Sequence, residues 1–287
     1  MKKIFAFIRL MRPHQWVKNV FVFPALVFSK NIFNIDLVSS SLVIFFVFCL
    51  VSGFVYSIND IVDAQRDKLH PQKKYRPIPS AQLKKKEAFI FSVILIFAAS
   101  LICIFYLNLH VLFILFIYIL INIIYSFVTK KIFFLDSVFV ASGFVLRVLA
   151  GSYAISVPAS FWIILTTFLC ALFIAISKRY NELQVMGDEA IKHRSSISHY
   201  SEKTTRYLMY IFAVSAIISY LTYTFNSDFR GMIFTLPFVL LGICRYLFLV
   251  LSKKMNENLE VVLQKDRVFL LICILWVCSS LLIVYIL

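Results

Sequence analysis

Long apolar runs dominate the chain, and polar residues are confined to short intervals between them. A helix crosses a bilayer core with about 20 apolar residues, each rising about 1.5 Å. Nine stretches approach that length: Val17 to Phe33, Leu37 to Ile58, Ala88 to Leu107, Val111 to Val128, Ile132 to Ile155, Phe161 to Ile176, Tyr207 to Phe225, Met232 to Leu251 and Val268 to Leu287. Sustained apolarity of this length predicts membrane helices. The expected fold class is all-α, a multi-pass membrane helical bundle of about nine transmembrane helices, with residues 1–287 as a single domain. The stretch before the first run carries Lys2, Lys3, Arg9 and Arg12 but no small-residue cleavage site, so no removable signal peptide is expected.

Composition sharpens the reading. Of 287 residues 61% are hydrophobic and 15% charged, whereas a soluble domain is about a quarter charged. The surplus apolar surface has to meet lipid. A secreted disulfide scaffold, a disordered chain and a nucleic-acid-binding module are excluded, the last despite a net charge of +15. That charge follows topology: 25 of the 29 Lys and Arg fall in the N-terminal stretch through Lys18 and in alternate connections (residues 60–86, 130–131, 178–206 and 253–267). Lys30 and Arg230 fall on the opposite face, and Arg147 and Arg245 lie inside spans. The positive-inside rule makes the rich face cytoplasmic, with the N-terminus inside and the C-terminus outside. All six cysteines lie in spans without metal-ligand spacing and are expected in the core. The five histidines are scattered and support no zinc site.

Charge inside or beside a span is costly, so the polar exceptions carry the candidate chemistry. The densest runs from Tyr56 through Asn59, Asp60 and Asp63 to Asp67, at the cytoplasmic end of the second stretch. On a continuing helix these residues share an arc of roughly 100°. Three acids so close repel one another, a cost that a bound divalent cation removes. Oxygen donors suit Mg²⁺, which takes one or two carboxylates and completes its shell with water and substrate phosphate. The competing reading is a solvated helix end paired to nearby lysines.

Next comes a loop with Lys73, Lys74 and Arg76, stiffened by Pro71, Pro77 and Pro79. Acids that hold Mg²⁺ beside a basic loop suit a diphosphate; the plainer alternative is contact with anionic lipid heads. A second cluster, Lys178-Arg179-Tyr180-Asn181-Glu182, closes the sixth stretch, where Lys178 and Glu182 could simply pair. Further groups are Arg12 to Asn19 with Lys18, Tyr125 with Lys130 and Lys131, and Arg147, whose depth calls for an anionic partner or a wet cavity. Arg245, near a span end, can snorkel.

At these residues the chain resembles the UbiA-type intramembrane prenyltransferase superfamily, whose first signature is an N-D-x-x-D-x-x-x-D helix end, here Asn59, Asp60, Asp63 and Asp67. Arg12 to Asn19, Asn59 to Pro79, Gly143 to Arg147 with Ala150-Gly151, and Lys178 to Glu182 resemble the branch that transfers phosphoribose to decaprenyl phosphate. Members acting on aromatic acceptors usually carry a second D-x-x-x-D segment, and Lys178 to Glu182 stands in its place here.

The resemblance implies a Mg²⁺ cofactor held by Asn59 and Asp63, with Asp60, Asp63 and Asp67 as the catalytic acids. It implies 5-phosphoribosyl 1-diphosphate as donor and a polyprenyl (decaprenyl-like) phosphate as acceptor, for lipid-linked pentose such as arabinose in cell-envelope glycans. Lys18, Tyr56 and Lys73 would contact the donor, and Lys130 or Lys131, Arg147 and Lys178 the phosphates of one substrate or the other. Arg76, Tyr180 and Glu182 complete the expected substrate-binding set. The implied setting is the bacterial inner (cytoplasmic) membrane with the site facing the cytoplasm, and a homo-oligomer is admitted. An aromatic-acceptor prenyltransferase and a multi-pass transporter or flippase are the alternatives. One-sided acids and the lack of a repeat weigh against transport.

Overall fold

A computed structural model describes residues 2–69, 71–129, 132, 134–186, 201–227, 229–252 and 259–286. All regular structure among them is helical. The helices are α1 (Lys2–Leu10), α2 (Pro24–Phe28), α3 (Ile35–Lys68), α4 (Lys85–Tyr106), α5 (Leu109–Phe127), α6 (Leu135–Ala154), α7 (Phe161–Met186), α8 (Glu202–Asn226), α9 (Leu236–Leu251), α10 (Leu259–Lys265) and α11 (Arg267–Tyr285), with 3₁₀ segments at Pro13–Val22, Lys73–Tyr75 and Arg230–Thr235. Among the described residues eight helical segments are long and apolar enough to cross a membrane.

The first of the expected stretches takes a different form from the rest. Instead of one helix over Val17 to Phe33, the chain forms the 3₁₀ segment Pro13–Val22 and the five-residue α2. The cause is local. Arg12 (φ 52°) and Lys30 (φ 60°) take left-handed backbone at either side, and prolines open both segments at positions 13 and 24. Such conformations stop an α-helix.

Caps set other boundaries. Asn34 accepts hydrogen bonds from the Asp36 and Leu37 amides at the start of α3, Ser201 from Thr204 at α8, and Asp266 from Phe269 at α11. Each satisfies amide donors that a helix start leaves without intrahelical acceptors.

Internal packing divides the chain into two compact units. The first comprises Met1–Leu26, Asn31–Ser126 and Leu146–Pro158. Its core joins Ile44, Val47, Phe48, Val51 and Val55 of α3 to Ala99 and Cys103 of α4, Ile114, Leu115 and Tyr118 of α5, and Leu146 and Ala150 of α6. Small residues on α4 face inward, while Phe89, Ile90, Val93, Ile94 and Phe97 are exposed on its other side. Small inside and large outside is the pattern of helices packed in lipid, where close backbone approach drives association. Gly151 shows the same need: a Cβ there would sit 1.8 Å from the Val22 carbonyl oxygen.

The second unit comprises Val27–Lys30, Phe127–Val145 and Ala159–Leu287. Phe173, Ile176 and Tyr180 of α7 pack with Met209, Ala213 and Ala216 of α8, and with Ile243, Tyr246 and Leu249 of α9. Arg245 does not rely on snorkelling: its Nε and terminal nitrogen donate to the two oxygens of Asp266 at 3.2 and 2.7 Å. The cysteine expectation needs correction. Cys49 and Cys103 are buried, but Cys244 and Cys278 are exposed on helix faces.

Candidate functional site

At 34 residues α3 is the longest helix of the described chain, about 51 Å at 1.5 Å per residue and so longer than a bilayer core of about 30 Å. Its final turns, with all three acids of the motif, have length to spare beyond the hydrocarbon. Asp60 and Asp67 are buried there, and both turn to arginine. Arg12 donates a short hydrogen bond to Asp60 Oδ1. Arg76 donates to the same oxygen at 3.2 Å and to Asp67 Oδ2 at 2.6 Å. Two carboxylates and two guanidinium groups make a locally neutral cluster, so arginine relieves the like-charge repulsion that the sequence reading gave to a cation.

Arg76 reaches the acids from a folded loop. Ser80 donates to the Arg76 carbonyl at 2.6 Å, the Leu83 amide to Pro77 at 3.0 Å, and Arg9 of α1 to the Tyr75 carbonyl at 3.0 Å. Ile78 and Leu83 are buried with Ala6, Leu10, Ala64 and Ala88. Arg76, expected on substrate, is committed to carboxylates, whereas Lys73 on the same loop is exposed.

The other edge of the motif differs. Asn59 Oδ1 accepts a short hydrogen bond from Ser126 of α5. The Asp63 side chain is 31% exposed, with Arg66 3.9 Å away on the solvent side, a weak exposed pairing. Tyr56 has the Arg12 guanidinium 4.9 Å above its ring, and Lys18 donates to Gln15 at 2.6 Å. Among the described residues no group of three or more His, Cys, Asp and Glu is arranged around a metal position. Asn59 and Asp63, one turn apart, are hard oxygen donors of the kind Mg²⁺ takes when substrate phosphate completes its shell. The donor set fits such a shared site and not a closed cage of three carboxylates.

Arg147 is buried at 4% exposure. Its Nε donates to Asn19 Oδ1 at 2.9 Å and a terminal nitrogen to Tyr118 OH at 2.9 Å, and the rings of Phe48 and Tyr118 lie 5.4 and 4.9 Å from the guanidinium carbon. An amide, a phenol and two π faces steady a charge deep in an apolar core.

In the second unit the Lys178 to Glu182 turns of α7 are fixed by Arg179. Its Nε lies 3.3 Å from Asp136 Oδ2, with both side chains buried, and it also forms a short bond with Glu182. Glu182 therefore meets Arg179, three residues before it on the same helix. Lys178 is half-buried, and Tyr180 is buried among Ile176, Met209 and Ala213 with its hydroxyl accepting from Gln184 at 3.3 Å. Lys130 and Lys131 lie outside the described residues.

Sequence reasoning missed several partners. Asp136 carried a usable signal, a lone acid at the start of an apolar window. Arg12, Asn19 and Arg179 stood inside quoted motifs but were given no separate role, while Tyr118 and Ser126 look like ordinary helix residues.

Eight membrane-length helices among the described residues, one of them carrying three acids in its final turns, define an integral membrane protein. Comparison with known proteins makes the class specific. Residues 20–270 match the UbiA prenyltransferase family, and the chain belongs to it. It is a membrane-embedded transferase. It is 30% identical to decaprenyl-phosphate phosphoribosyltransferase of Mycolicibacterium smegmatis over 94% of this chain and 89% of that one. The enzyme of the same name from Corynebacterium glutamicum is also 30% identical, over 97% and 86%. In fold it is similar to a UbiA homolog from Archaeoglobus fulgidus bound to DMAPP and Mg²⁺, with a TM-score of 0.75 and 16% identity over 98% of this chain and 99% of that one.

Proposed function

We propose that the chain transfers 5-phosphoribose from 5-phosphoribosyl 1-diphosphate to a polyprenyl phosphate and releases diphosphate. The observation that carries this reading is the near full-length similarity to enzymes named decaprenyl-phosphate phosphoribosyltransferase. Lys178, in the segment where aromatic-acceptor enzymes usually carry a second acid motif, supports it. The family match runs from residue 20 to 270 and so through both compact units, which supports one functional domain. The proposed setting is the bacterial inner membrane, with the Asp-rich end on the cytoplasmic side where soluble donor is available.

The reaction needs no catalytic base. A lipid phosphate is already ionised near neutral pH, so holding it in line with the ribose carbon replaces proton abstraction. Lys18, Tyr56 and Lys73 would hold the donor; Arg147 and Lys178 would bind substrate phosphates. Asn59 and Asp63 would hold Mg²⁺, which when bound neutralises charge on the departing diphosphate. The released lipid carries phosphoribose for later conversion to envelope pentose.

The test supplies purified protein with Mg²⁺, a polyprenyl phosphate and donor labelled in the ribose. Label is expected in the lipid fraction. An unlabelled lipid fraction, with the same preparation prenylating an aromatic acid from a prenyl diphosphate, would overturn the reading.

A further inference from the structure

On a helical wheel the Asp-rich segment spans one arc of about 100°, with Asn59 at one edge, Asp60 and Asp67 within about 20° of one another at the other, and Asp63 between them. The side-chain contacts divide it. Asp60 and Asp67 are buried against Arg12 and Arg76, whereas Asp63 is partly exposed. Arg76 bridges both buried acids from the loop that carries Lys73 and Lys74, and Arg12 is the left-handed residue at the start of the segment that carries Lys18.

We propose that Asp60 and Asp67 are not metal ligands but positioning residues: through Arg76 and Arg12 they latch the 71–84 loop and the 13–22 segment onto the helix end. The latch presents Lys73 and Lys18 to the strip formed by Asn59 and Asp63. One motif thus does two jobs. Asn59 and Asp63 serve the metal and diphosphate, and Asp60 and Asp67 set the basic side of the same site. The placement of Lys73 and Lys18 rests on the donor reading above, whereas the latch itself does not.

Two measurements test it. In limited trypsin digestion of purified protein, cleavage after Lys73 and Lys74 requires the loop to open locally. Asp67→Asn and Arg76→Gln should each speed that cleavage about tenfold, as expected for loss of a charge-assisted hydrogen bond. The double variant should be no faster than Arg76→Gln alone, because that substitution already removes the bonds to both acids. Asp63→Asn should leave the cleavage rate unchanged. If Asp67→Asn fails to fold, Arg76→Gln carries the same reading, since it leaves every carboxylate in place. The second measurement follows transfer: Asp67→Asn should raise donor KM with the Mg²⁺ concentration for half-activation unchanged, while Asp63→Asn shifts metal dependence or abolishes turnover.

Unchanged cleavage in both single variants, equal loosening by Asp63→Asn, or a shift in Mg²⁺ half-activation by Asp67→Asn would overturn the proposal. If the wild type transfers no phosphoribose, the donor reading falls but the digestion still decides the latch.

Discussion

Asn19 and Arg147, 128 residues apart in sequence, are joined by a 2.9 Å hydrogen bond from the guanidinium Nε to the amide oxygen. The bond ties the 3₁₀ segment Pro13–Val22 to the second half of α6, and the close approach of Gly151 to Val22 lies near the other end of that contact. Asn19→Ala leaves a buried guanidinium short of an acceptor, at a cost of about 1–3 kcal/mol. The expected outcome is a lower unfolding temperature in detergent, read by thermal scanning. Asn19→Asp, which keeps an acceptor, should lose less.

Gly151→Ala provides a steric counterpart. The added methyl meets the Val22 carbonyl oxygen at 1.8 Å, so the backbone must move. Forced overpacking of this kind costs about 1–3 kcal/mol or more. The variant should fold poorly, seen as a reduced monodisperse fraction in size-exclusion chromatography. Gly242→Ala is the control, because its nearest neighbour, Ile272, is at an ordinary 3.7 Å.

Asp136 and Arg179 form a pair with side-chain exposures of 0% and 4%. Asp136→Asn takes an acidic partner from buried Arg179 but leaves it Glu182, and should destabilise by about 1–3 kcal/mol. Removing both charges is a different case. Asp136→Asn combined with Arg179→Met should recover much of the loss, and a thermal-melt double-mutant cycle measures the coupling.

Acid stability has an identifiable contributor outside the spans. Hydrogen bonding from Arg245, with a further bond from the Phe269 amide, holds the Asp266 carboxyl below its usual range. A carboxyl with a lowered folded pKa favours the native state above its unfolded pKa, and that contribution fades as pH falls through the folded value. The native protein should therefore lose stability between the ordinary carboxylate range and more acid pH. Asp266→Ala, which also removes a helix cap worth about 1 kcal/mol, should flatten that limb in melts recorded from neutral to acid pH.

The sequence made the fold class legible because lipid demands long apolar helices, and no packing detail is needed to see them. It misled over residues 17–33, where hydropathy met the length criterion but Arg12, Pro13, Pro24 and Lys30 set a backbone that cannot continue as one helix. Within the candidate site the acids were visible as a cluster. Their division was not, because Arg12 and Arg76 reach Asp60 from 48 residues before and 16 residues after it. Tyr118 and Ser126 escaped for the same reason: a buried hydroxyl is identified by what folds against it.

In the proposed reaction a phosphoribosyl donor loses diphosphate at the Asn59 and Asp63 strip. The most direct measurement is diphosphate released against labelled lipid formed, by wild type and by Asp63→Asn, with Mg²⁺ present and after chelation. Equimolar diphosphate and lipid-linked phosphoribose are expected from wild type with Mg²⁺. Both should vanish on chelation and in Asp63→Asn while expression and folding persist. Undiminished transfer by folded Asp63→Asn, or labelled lipid formed without diphosphate, would contradict the account.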